Sequence, residues 1–146
     1  MRVLVMIKGS GADEDKIAPT EEMFAQMGAY NEELVKAGIM LGGDGLRPSK
    51  DGAKVVFDGG DVSVVDGPFT EAKEIVGGYW IWEVSSLEEA VEWAKKCPSD
   101  PSFGVRQVLE IRPYFETEDF GEAFTPELRA KEEELAAQIK AQHPDA

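Results

Sequence analysis

Twice along this chain an apolar pattern of period two gives way to one of period 3.6 and then returns. That double switch sharply limits the folds open to it. Val3, Val5 and Ile7 alternate within Arg2–Lys8 and stop at Gly9-Ser10-Gly11, as a half-buried strand does before a turn. Met23, Met27, Tyr30, Leu34 and Ala37 then recur at steps of four and three, which makes one apolar helix face. Thr20 is suited to cap that helix, Glu21 and Glu22 complement its dipole, and Gly38 suits its C-terminal end. Ile39-Met40-Leu41 reads as a short strand, interrupted by Gly42-Gly43 and ending near Pro48.

The second round begins with Tyr79–Val84, a strand with aromatics on both faces. Ser86-Leu87-Glu88-Glu89 fits a capping box, in which hydroxyl and carboxylate bond each other's free amides. Leu87, Ala90, Val91 and Ala94 form the expected buried face, Cys97-Pro98 ends the helix, and Val105–Arg112 alternates as the last strand. Between the rounds, Lys54–Phe57 and Val62–Val65 read as a hairpin across Asp58-Gly59-Gly60-Asp61. The order resembles a ferredoxin-like α+β sandwich, an antiparallel sheet with both helices on one face. The other face also carries apolar residues, and a second copy of the chain is its simplest cover, so a homodimer is expected.

A chain of 146 residues favours a single domain. The expected core domain runs over 1–113, and the character changes beyond Tyr114. Phe115, Phe120 and Phe124 punctuate an acidic segment, and Thr125-Pro126-Glu127 starts a helix with proline at its first position. Its stripe of Leu128, Leu135 and Ile139 is too thin for a core. Residues 114–146 therefore read as an acidic C-terminal extension, a helical arm packed on the domain or on a neighbouring subunit.

Charge removes several function classes. The 29 acids against 15 bases give a formal charge of −14, which disfavours nucleic-acid phosphates and anionic membrane surfaces as partners. The N-terminal apolar run is too short for a signal-peptide core or a membrane span. A single cysteine, Cys97, forms no intrachain disulfide, which suits a reducing cytoplasm. Gly9-Ser10-Gly11 follows a strand but lacks a third glycine, since position 14 is Glu14, so no dinucleotide site is expected and the segment reads as a flexible turn. The acids do not space as an EF-hand loop. The lone histidine, His143, lies near the end of the chain, which removes histidine-based zinc or acid–base chemistry. Cys97 sits at a helix end without a histidine partner and reads as structural. No cofactor or metal is expected.

One stretch stands out, "VVDGPFTEAKEIVGGYWIWEV", Val64–Val84. Its plain reading is a structural turn, with Asp66 bonding nearby amides and Phe69 as a core plug. Its functional reading puts Asp66 and Lys73 at the mouth of a small-molecule cleft lined by Tyr79 or Trp80, near Arg106 and Arg112. Asp66 and Lys73 are the candidate catalytic residues. Gln26, Tyr30, Arg47, Tyr79, Trp80 and Arg106 are the candidate ligand-binding residues.

The stretches "DGPFTEAKEIVGGYW", "EWAKKCP" and "YNEELVKAGIMLGGDGLRPS" resemble the DGPF-motif branch of the YCII-related family. "FETEDFGEAFTPELRAKEEEL" is similar to an extension carried by many of that branch. The resemblance implies a ferredoxin-like domain that dimerises into an α/β barrel. Some members sit beside or within sigma-factor-like proteins, which implies regulation. Other YCII-related proteins pair a histidine on the first helix with an aspartate before a proline after the second. Those positions fall near Gln26 and at Cys97, and glutamine cannot titrate as a base. Three functions follow: a small-molecule-binding dimeric barrel, an enzyme on a small anionic substrate with Asp66 as acid or base, or a regulatory protein-interaction module.

Overall fold

A computed structural model describes the whole chain, Met1–Ala146. Its elements are β1 Arg2–Gly9, α1 Glu21–Lys36, β2 Met40–Gly45, β3 Ala53–Asp58, β4 Asp61–Asp66, β5 Ile75–Glu83, α2 Leu87–Ala94, β6 Val108–Pro113 and α3 Pro126–Gln142. Single 3-10 turns occupy Gly11–Lys16, Ser49–Asp51, Pro101–Phe103 and Thr117–Phe120. The class is α+β. Four antiparallel strands form one sheet in the order β2-β5-β1-β6, the strand order of a ferredoxin-like sandwich, and β3 and β4 form a separate ribbon. Two compact units divide the chain, Met1–Tyr114 and Phe115–Ala146.

The core of the first unit follows from the alternation. Val3 pairs with Trp82 and Val5 with Trp80, and Val5 and Ile7 pair on the other side with Ile111 and Leu109. These inward residues meet Tyr30 and Leu34 of α1 and Ala90 of α2. Tyr30 and Trp80 pack edge to face with ring centroids 5.8 Å apart. Their polar ends are satisfied inside: the Tyr30 hydroxyl donates to the Trp93 carbonyl at 2.7 Å, and Trp80 Nε1 donates to Asn31 Oδ1 at 2.8 Å. Leu4, Met6 and Ile81 lie half-buried on the opposite face of the sheet, where Lys8 bonds Glu74 at 2.9 Å and Glu110 at 3.2 Å. No helix is long and apolar enough to cross a membrane.

Several local expectations change. The inner stripe of α2 is Ala90, Trp93 and Ala94, continued by Cys97, whereas Leu87 and Val91 are exposed. The stripe keeps the i, i+3, i+4, i+7 spacing but is rotated about the helix axis. Only half the capping box forms. Ser86 Oγ accepts from the Glu89 amide at 3.1 Å, but the Glu89 carboxylate bonds the Ser85 hydroxyl. In α1 the stripe ends at Leu34, and Ala37 is exposed. β5 begins at Ile75, since a glycine pair hides the strand's first half, and β6 begins only at Val108. Residues 104–107 remain a loop.

In the second unit Phe115, Phe120 and Phe124 stack in series at 4.9 and 5.0 Å, and the Arg129 guanidinium stands 5.8 Å from the Phe124 ring. Thr125 caps α3 with its hydroxyl, and Leu128, Leu135 and Ile139 are exposed along it.

Candidate functional site

A cavity of about 410 Å³ opens in the first unit beside the end of β1. That size is toward the lower end of small-molecule pockets. Ile7 contributes from β1, Met23 and Met27 from the first turns of α1, Val76 from β5, and Phe103 and Val105 from the loop before β6. These apolar walls exist because β6 starts late: residues 98–107 wrap the opening instead of joining the sheet.

Polar groups line the same cavity, and the acids among them already have partners. Asp13 faces Lys16 Nζ at 2.6 Å and accepts from Ser10 Oγ at 2.8 Å. Those two bonds, Lys16 first, hold its carboxyl below the ordinary 3.8. Asp100 caps the Pro101–Phe103 turn by accepting the Ser102 amide at 2.8 Å. Hydrogen bonding by Ser102 likewise holds its carboxyl below 3.8. Glu14 uses both oxygens on Ser49, accepting the amide at 2.8 Å and the hydroxyl at 2.5 Å. The cations differ. Of the three in the lining, Lys8 is held by Glu74 and Glu110, Arg47 meets only Asp51, at 3.2 Å, and Arg106 has no ion pair; both arginines are exposed.

The Glu14–Ser49 pair also fixes the Asp66–Phe69 turn. Ser49, the one buried polar residue, accepts the Phe69 amide on Oγ at 2.9 Å. Gly67 donates to the Gly52 carbonyl at 3.0 Å, and Gly11 donates to the Ala72 carbonyl at 2.9 Å. Both glycines are needed for close approach: a Cβ on Gly67 would run into the Ser49 carbonyl, and one on Gly11 into the Phe69 carbonyl. The segment after β1 is therefore no flexible turn. It is a 3-10 turn pinned to the DGPF stretch, and it forms one wall of the cavity. Phe69 is not a core plug either. It is half-buried, with the Lys54 ammonium 4.3 Å above its ring.

Gln26, Arg47 and Arg106 come together at the cavity. Tyr30 and Trp80 are built into the core instead, and burial, first among the causes, raises the Tyr30 hydroxyl above its ordinary value. Tyr79, one residue from Trp80, points to the opposite sheet face, its hydroxyl 3.4 Å from Asp44. Asp66 and Lys73 are exposed, make no side-chain hydrogen bond or ion pair, and lie outside the cavity lining, as does Arg112. Glu14 and Asp100 are cavity residues that the sequence reading passed over. Asp100-Pro101-Ser102 carries a readable turn-cap signal, whereas nothing in sequence links Glu14 to Ser49, 35 residues away.

The model of the YCII-related domain matches residues 1–115. The chain belongs to the YCII-related family. It is 30% identical over 97 residues to an uncharacterised protein of Rhizobium meliloti, covering 64% of this chain and 78% of that one. Among solved structures it is similar to the 5-chloro-2-hydroxyhydroquinone dehydrochlorinase of Burkholderia phenoliruptrix in complex with 2,5-dihydroxybenzoquinone. That likeness has a TM-score of 0.41 at 18% identity, over 82% of this chain and 98% of the other. Of the two positions that the family resemblance singles out, Gln26 lies at the cavity, its amide 3.2 Å from Glu22. Cys97 lies outside the lining, half-buried, and burial pushes its thiol up to about 11. Asp100 and Glu22 are carboxylates that share the rim with Gln26.

Proposed function

We propose that this YCII-related protein binds a small organic molecule in the cavity between α1, the start of β5 and the loop before β6. The observation that carries the reading is the cavity itself: apolar walls with a few polar side chains, the usual composition of a small-molecule site. Its carboxylates are ordered by their own hydrogen bonds, so that part of the wall is formed before a ligand arrives. A thermal-shift screen of small organic molecules on the wild type and on Val76→Phe tests it. Stabilisation by some of them in the wild type, lost in the filled variant, is expected. Equal stabilisation of both would place binding elsewhere.

The reading also takes the protein as a cytoplasmic homodimer of the DGPF-motif branch, with the faces bearing Leu4, Met6 and Ile81 closing into an α/β barrel. Asp66-Gly67-Pro68-Phe69 supports the branch, and those half-buried apolar side chains support the dimer. A stable interface of this kind buries roughly 1,200–2,000 Å² in total. Sedimentation equilibrium at micromolar concentration is expected to return the dimer mass, and a monomer would refute the barrel.

A further inference from the structure

The cavity's hydrogen-bonding capacity is lopsided. Asp13, Glu14 and Asp100 are the carboxylates in its wall, and each has a donor in place: Lys16 and Ser10, the Ser49 amide and hydroxyl, and the Ser102 amide. The Ser49 hydroxyl serves two bonds at once, donating to Glu14 and accepting from the Phe69 amide. That arrangement ties the Glu14 oxygens back into the protein. On the donor side Lys8, also in the lining, is likewise taken, by Glu74 and Glu110, and Arg106 is the exception. Arg106 lines the cavity with no carboxylate within ion-pair distance, its charge reaching Glu74 only as a minor influence, and Arg47, also in the lining, has a single partner in Asp51. A guanidinium carries five N–H donors in a planar fork that matches a carboxylate. The remaining walls are apolar, contributed by Met23, Met27, Val76 and Phe103. A ligand that completes this site must bring acceptors for the guanidinium and an apolar body for the walls.

We infer that the cavity selects small organic monoanions, an apolar ring or short chain bearing one carboxylate, with Arg106 as the anchoring residue. The inference rests on the reading that the cavity binds small molecules, and it adds the charge class and the residue that reads it. Arg106 sets specificity by meeting the anionic group with charge-assisted bonds, and the walls take the body without discriminating among shapes. Arg47, already paired with Asp51, has the smaller part. In a chain of net charge −14 an anion gains nothing from the general field, so selection depends on this local donor.

Three probes of one shape separate the possibilities: benzoate, neutral benzamide and cationic benzylamine, titrated by NMR into the full-length protein and into Arg106→Gln and Arg47→Gln. Benzoate is expected to bind about tenfold more tightly than benzamide, as one charge-assisted bond accounts for, and benzylamine more weakly than either. Arg106→Gln is expected to remove that preference while leaving benzamide unchanged, and Arg47→Gln to reduce it only in part. Raising the salt concentration is expected to weaken benzoate binding alone. Equal binding of benzoate and benzamide, or a preference for benzylamine, would overturn the anion inference and leave the binding reading standing. Unchanged benzoate affinity in Arg106→Gln would overturn the anchoring role. Binding of none of the three at millimolar concentration would overturn the inference together with the reading beneath it.

Discussion

Replacing Ser49 by alanine removes one oxygen and tests how the DGPF stretch is held. That oxygen donates to the Glu14 carboxylate at 2.5 Å and accepts from the Phe69 amide at 2.9 Å, at a residue only 6% exposed. A hydrogen bond to a charged group contributes about 1.5–3 kcal/mol, and a buried donor left without an acceptor costs about 1–3 kcal/mol. The two losses share one atom and overlap, so the expected destabilisation is about 2–4 kcal/mol. At about 4 °C per kcal/mol for a chain of this length, the melting temperature should fall by about 8–16 °C. Thermal melts followed by circular dichroism, with a urea titration to check that the m-value is unchanged, measure it. Asp66→Ala is the comparison. Its exposed carboxylate bonds nothing, so the cost should stay within about 0.5 kcal/mol. The reasoning fails if the order is reversed, with Ser49→Ala near neutral and Asp66→Ala costly. The turn would then be held by its own aspartate.

Gly67→Ala should be worse than Ser49→Ala, since its Cβ meets the Ser49 carbonyl, a backbone atom that cannot step aside; urea midpoints of the two variants give the order. Glu74, Asp13 and Asp100 have folded-state values below their ordinary 4.5, 3.8 and 3.8. The Lys8 bond is the main cause for Glu74, and Lys16 and Ser102 are for the others. The stability they add is therefore present above those ordinary values and lost as pH falls through the lower folded ones, so melting temperature should decline on acidification below about pH 4.5. Lys8 is raised above 10.5 by Glu74 and then Glu110, so its share is lost only as pH rises through that higher value. Lys8→Met should flatten the Glu74 part of the acid limb. Cys97, with its thiol at about 11 through burial, should react with iodoacetamide at pH 8 far more slowly than free cysteine, and at the ordinary rate in urea.

β1 and α1 were legible because each carries an unmixed period. Val3-Val5-Ile7 and Met27-Tyr30-Leu34 leave no choice of inner face, and Thr20 and Gly38 mark the ends of α1. The ribbon was legible from Gly59-Gly60, both at positive φ in its turn. α2 was misread in detail because its Leu87 and Val91 are as apolar as the stripe that wins, and the larger Trp93 takes the inner position. The cavity was only partly legible. Gln26, Arg47 and Arg106 stand out as polar residues beside apolar elements, and all three are in the cavity lining. Tyr30 and Trp80 look equally suited to a ligand, but their polar atoms find partners across the core in Trp93 and Asn31. Such pairings at separations of 49 and 63 residues leave no local trace in sequence. The same holds for Glu14 and Ser49, which turn an acidic loop into a cavity wall.

The chain's five methionines allow the most direct test of the cavity as a binding site. Met23 and Met27 line it, Met6 lies on the opposite face of the sheet, and Met1 and Met40 are outside the lining. With methionine methyls labelled with carbon-13, titration with a small organic ligand found by thermal shift should move the Met23 and Met27 signals together, in a saturable way, and leave the Met6 signal in place. Saturable shifts at Met6 with Met23 and Met27 unmoved would contradict the account and put the binding site on the other side of the sheet.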